Sequence, residues 1–157
     1  MPSSTKRRRS KREPEAPVFF IDRSIGKVRF AQCLRDAGID CEVHDDVFPE
    51  RTADIDWMPY CARKGLFAVS RDKRIRFNPV EQEAVSATGI HLFLVYENGR
   101  STEEMAADFI RALPLIERFV KHNRKAGGGG FVASVLPPSK RKRLGSVNRL
   151  FPPKREK

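Results

Sequence analysis

Cysteine is scarce, and its pattern excludes a disulfide framework. Cys33, Cys41 and Cys61 are odd in number and widely spaced, with no Cys-x-x-Cys or Cys/His pairing at metal-ligand spacing. They read as reduced structural thiols, because His44, His91 and His122 lie in no motif that would set a base beside a nucleophilic cysteine. Long apolar runs are also missing. Runs such as His91 to Tyr96 fall far short of a membrane span, and the basic start Met1 to Arg9 has no apolar segment behind it. No membrane partner and no secretion are expected, which leaves a cytoplasmic protein. A phosphate-cradling loop is absent as well: Gly127 to Gly130 is followed by no Gly-Lys-Ser/Thr, so the run reads as a flexible linker.

What is present fits one domain, since 157 residues suffice to bury a core without disulfides. The net charge of +11 is distributed unevenly. Residues 1–16 carry six basic and two acidic side chains and residues 138–157 carry eight and one, leaving seventeen of each sign between them. The body is therefore neutral. The expected organisation is a disordered basic arm over 1–16, a folded domain over 17–136 and a basic hairpin or tail over 137–157. Such ends attract polyanions through phosphate contacts and counterion release, which makes nucleic acid the natural partner; the competing reading is two solvated tails. Lys6 to Arg9 also resembles a nuclear import signal, a pattern too common by chance to set an address.

Along the body, strands alternate with helices. Pro17 to Asp22 is an apolar run ending in an acid, the pattern of a strand buried on both faces. Ser24 can cap a helix over Ile25 to Ala37, and Ile39 to His44 can form a short second strand. A helix follows over Thr52 to Lys64, with Asp54 or Asp56 near its start and Pro59 limiting how early it begins. Leu66 to Val69 is a third strand closed by Ser70-Arg71-Asp72, and Asn78-Pro79-Val80-Glu81 has the form of a helix start with a capping box. Ile90 to Val95 is a fourth strand. Ser101 to Glu104 opens a long helix that Pro114 should kink, and Phe131 to Leu136 pairs with a stretch around Leu144 in a terminal hairpin. The fold class is α/β, with a central parallel sheet covered on both faces.

Ligands of such sheets bind at the carboxyl ends of strands, which singles out Asp22 and Asp72, with Asp54 and Asp56 at the start of an intervening helix. Clustered carboxylates repel and raise one another's pKa unless a cation compensates, and hard divalent ions with oxygen ligands, Mg²⁺ or Mn²⁺, suit that task. The alternative is that each acid is a helix cap or a surface charge.

Three stretches, Phe19 to Ser24, Asp54 to Pro59 and Val69 to Arg76, resemble the PIN-domain superfamily, in particular its PIN-like branch related to VapC toxins; the likeness spans about residues 17–136. The resemblance implies a three-layer α/β/α fold, to which the sequence adds a C-terminal β-hairpin, and a metal-dependent endoribonuclease activity with Mg²⁺ or Mn²⁺ as cofactor. It implies RNA as substrate and the role of toxin in a toxin–antitoxin pair, with an antitoxin protein as partner and a homodimer as an allowed assembly. By position it makes Asp22, Asp54 and Asp72 the catalytic and metal-holding acids, with Asp56 the fallback for Asp54. Asp45 or Asp46 would add a further ligand, and Ser70 would orient Asp72. Arg23, Lys73, Arg74 and Arg76 would hold phosphates around the scissile bond, although each can equally serve charge balance, while Lys140, Arg141, Lys142 and Arg143 of the basic hairpin would add RNA binding through the long-range attraction of the chain's ends. The competing functions are a non-catalytic RNA-binding module and a protein-interaction module on the same fold.

Overall fold

Strand β1 (Phe19–Ile21) is apolar at every position because both of its faces are covered: Phe19 and Ile21 join one core and Phe20 the other. The structure, a computed structural model, describes residues 16–26, 28–96 and 99–153. The expected basic arm, Ala16 apart, and the last four residues lie outside the described residues.

The other strands are β2 (Cys41–Val43), β3 (Phe67–Ser70), β4 (His91–Val95), β5 (Phe131–Leu136) and β6 (Ser146–Phe151). They form one sheet in the order β2-β1-β3-β4-β5-β6, parallel throughout except for the antiparallel pair β5 and β6. On one face lie α1 (Arg29–Asp36), α5 (Thr102–Arg111) and α6 (Leu113–Lys125), whose Phe30, Leu34, Phe109 and Ile116 are fully buried. On the other lie α3 (Asp54–Lys64) and α4 (Pro79–Thr88), which bury Trp57, Met58, Cys61 and Val85. A single turn, α2 (His44–Val47), follows β2. The α/β/α layering with a parallel sheet and a terminal hairpin is thus the one expected. Among the described residues no helix is long and apolar enough to cross a membrane.

Several local expectations are corrected. The helix foreseen from Ile25 is a 3₁₀ turn (Arg23–Ile25), broken at Gly26 with φ of 114°, before α1 begins at Arg29. Ser24 is unavailable as a cap because its hydroxyl serves Asp22. Pro59 does not delay its helix; it is the sixth residue of α3, and the turn it interrupts lies at Ile55, which is exposed to water. Instead of one kinked helix there are two, meeting at Ala112, with Pro114 at the start of α6 where a missing N–H costs little. The glycine run is a packed joint. Gly128 closes α6 by donating to the Asn123 carbonyl at 2.9 Å, and a Cβ on Gly130 would meet the Val85 carbonyl oxygen at 2.5 Å. Leu144 is exposed in the hairpin connection, and β6 starts two residues later. The three cysteines are free thiols, and burial pushes those of Cys41 and Cys61 up.

Candidate active site

From β1 the chain moves to β2 on one side and returns to β3 on the other, so the strand order reverses between β1 and β3. The crevice outside the carboxyl ends of strands at such a reversal is the usual binding place of doubly wound sheets. Asp22 follows β1 and Asp72 follows β3 by two residues, so both stand there.

Asp22 is buried, at 5 % exposure. Its backbone N–H donates to the Val69 carbonyl at 2.9 Å, and its Oδ2 accepts from the hydroxyls of Ser24 and Ser70, both at 2.8 Å. Each hydroxyl in turn accepts a backbone N–H from the β3 end, Arg71 onto Ser24 at 2.9 Å and Asp72 onto Ser70 at 3.0 Å. Ser70, expected to orient the Asp72 side chain, thus orients Asp22 and receives only the Asp72 amide. Burial pushes the Asp22 carboxyl above its ordinary value; the two hydroxyls pull it back, and the nearby Asp54 adds to the rise.

Asp54 is half-buried in the first turn of α3, where it accepts from the Trp57 indole N–H at 3.3 Å. It also faces Glu81, the third residue of α4. Burial first, and then Asp54, pushes the Glu81 carboxyl up to about 7. The buried Oε1 of Glu81 has no hydrogen-bond donor. A shared proton or a bound cation between Glu81 and Asp54 would relieve the repulsion that helps raise Glu81. Asp72 is closed on Arg74, which donates to it from the backbone at 3.0 Å and from the guanidinium at 2.9 and 2.7 Å. That guanidinium holds the Asp72 carboxyl below its ordinary value.

Among the described residues no three His, Cys, Asp or Glu side chains are grouped tightly enough to hold a cation as they stand. The donor set nevertheless suits a hard divalent ion: the ligands would be carboxylate oxygens, and one of them is buried without a partner. Asp56, in the same first turn as Asp54, and Asp46 are exposed, while Asp45 is taken up by the His44 Nδ1 at 2.9 Å and by Arg23.

The basic residues divide. Arg23, expected beside phosphates, is paired with Asp45 at 3.4 Å and with Glu50 at 2.6 Å. Lys73 lies over the ring of Tyr96 and Arg76 over that of Phe77. Lys140, Arg141, Lys142 and Arg143 are exposed in the connection between β5 and β6, where they line a cleft of about 710 Å³ with Phe119 and His122 of α6. Glu81 escaped the sequence reading because a capping box explained it. The return bond of that box does not form: Asn78 accepts from Val80 and Glu81, and the Glu81 side chain turns to Asp54 instead. A signal did exist, since helices that follow parallel strands begin at the carboxyl edge of the sheet and present their first-turn acids there.

The family description "PIN like domain" matches residues 17–97, a span that contains all four of these acids. A protein of Mycobacterium tuberculosis (strain ATCC 25618 / H37Rv) named "Putative ribonuclease VapC45" is 33% identical over 122 residues, covering 75% of this chain and 85% of its own length. No solved structure matches the chain. With the sheet order and the acids at its reversal point, these matches identify the chain as a member of the PIN-like domain family, related to the VapC proteins.

Proposed function

We propose that the chain is a divalent-metal-dependent endoribonuclease and the toxin of a toxin–antitoxin pair, acting on RNA in the cytoplasm and held in check by an antitoxin protein. The observation that carries the reading is the Asp54–Glu81 pair beside buried Asp22, an arrangement of like charges that a bound cation would compensate. Asp22, Asp54 and Asp72, with Glu81, would hold Mg²⁺ or Mn²⁺. When bound, such an ion supplies Lewis acidity to a water and to phosphodiester oxygens. Ser24 and Ser70 fix the carboxylate of Asp22. Lys73, Arg74 and Arg76 beside the centre, and Lys140 to Arg143 farther along, meet the flanking phosphates. Arg74 has two partners to choose between, Asp72 and an incoming phosphate.

Cleavage of RNA with Mn²⁺ or Mg²⁺ supplied, compared across variants, tests this. Asp22→Asn and Asp72→Asn should each lose at least about 100-fold in rate with circular dichroism unchanged, because the amide keeps the shape and loses the charge. Undiminished cleavage in both variants overturns the assignment. A second reading, a non-catalytic RNA-binding or protein-interaction module, draws on the closure of Arg74 over Asp72. It predicts RNA binding with no divalent-ion affinity at Asp22 and Asp72.

A further inference from the structure

Tyr96, the residue that follows β4, links the acidic centre to the basic hairpin connection. Ser70 pairs with Leu94, and Val95 with Val135, so the carboxyl ends of β3, β4 and β5 lie side by side. Neighbouring strands are about 4.8 Å apart, which puts the ends of β3 and β5 about 10 Å from each other across β4. On the acidic side Lys73, next to Asp72, holds its ammonium 4.9 Å from the Tyr96 ring centre. On the other side Tyr96 shares a small hollow with Pro137, the residue at which the chain leaves β5. Three residues farther on begin Lys140 to Arg143 and the cleft they share with Phe119 and His122. Tyr96 is half-buried, so part of the residue meets solvent.

We infer that this row is a track for single-stranded RNA, in which Lys73 swings from the face of Tyr96 onto a phosphate and the ring it uncovers is the stacking platform for a base next to the scissile phosphodiester. The identity of the scissile bond rests on the ribonuclease reading above; the track itself does not. Alternating cations and an aromatic ring is the arrangement by which proteins hold unpaired strands, because every base offers a π-face while the backbone offers charge. A duplex keeps its bases stacked on one another and has no free face for the ring. A polyanion without bases, such as an acidic peptide, would use Lys140 to Arg143 and leave the ring idle.

The test is equilibrium binding to the full chain carrying Asp22→Asn, so that cleavage does not consume the probe. The probes are a fluorescent single-stranded RNA of about ten nucleotides, within the usual site size of such binders, and a polyglutamate of similar length. Tyr96→Leu should weaken RNA binding by about 5- to 150-fold, the worth of one stacked base. Tyr96→Phe should stay within about twofold, and polyglutamate binding should be the same in all three proteins. An undiminished RNA affinity in Tyr96→Leu, or equal losses for RNA and polyglutamate, overturns the platform. A second measurement needs no change at Tyr96: RNA containing 5-iodouridine, irradiated on the Asp22→Asn chain, should form its adduct at Tyr96, and adducts confined to other residues overturn the proposal. Binding through Tyr96 in a wild-type protein that never cuts RNA would overturn the ribonuclease reading and leave the track standing. Cleavage by wild type with Tyr96→Leu binding normally would do the reverse.

Discussion

Glu81 is half-buried and faces Asp54, and the cost of that burial, with the pairing added to it, is readable as a pH dependence. Its folded-state pKa is raised, from the ordinary 4.5 to about 7, so the folded chain binds this proton more tightly than the unfolded chain does. The stability it contributes is fully present below about pH 4.5 and is lost as the pH rises toward 7; Asp22, also raised, acts in the same direction. In metal-free protein the melting temperature of wild type relative to Glu81→Gln should therefore fall across that window, and excess Mn²⁺ should cancel the fall. A difference that stays flat with pH would mean that neither burial nor Asp54 raises this carboxyl. Asp22 and Asp72 were legible in the sequence because a polar residue directly after a buried strand is conspicuous. Glu81 and Ser24 were not, for a shared reason: both sit in patterns that helix capping already explains, and only the fold shows that their side chains serve Asp54 and Asp22. Adjacency to Asp22 in sequence carries no sign of Asp45 and Glu50, with which the Arg23 guanidinium pairs.

The elements were legible where apolar runs bounded by glycine or an acid define them, as for β1, β3 and β4. They were less so where continuity is decided by tertiary contacts. Pro114 in residues 102–125 signals an interruption without separating one kinked helix from two; the chain breaks at Ala112, and α5 and α6 cover the same sheet face. The glycine run teaches the same lesson. Composition makes it a linker, yet Gly130 passes against the Val85 and Ile90 carbonyls where no side chain fits. Gly130→Ala should thus destabilise the protein by about 1–3 kcal/mol, the usual range for forcing atoms into packed space. Gly129→Ala, where an added Cβ meets nothing within 4 Å, should cost less. Thermal unfolding of the two variants checks this, and equal losses would show that the joint is loose.

At the scale of the molecule the charge arithmetic and the topology say complementary things. The neutral body holds the carboxylates at the strand-order reversal, and the excess positive charge lies on the ends of the chain. Removing residues 1–16 should weaken RNA binding and flatten its salt dependence without ending cleavage. Each phosphate contact contributes about 0.7 to the logarithmic salt slope for single strands, so six basic side chains shift it by at most about four. Identical slopes for full-length and shortened protein across a salt series would make the arm a solvated tail. Whether the acids at the reversal point form a cation centre is decided by titrating the full-length protein with Mn²⁺ and following the free ion by electron paramagnetic resonance. Wild type should bind, and Asp22→Asn, Asp54→Asn and Glu81→Gln should each weaken binding by about tenfold or more, whereas Asp46→Asn and Asp56→Asn should not. Equal affinity in wild type and Asp54→Asn, or a defect confined to Asp56→Asn, would contradict the account.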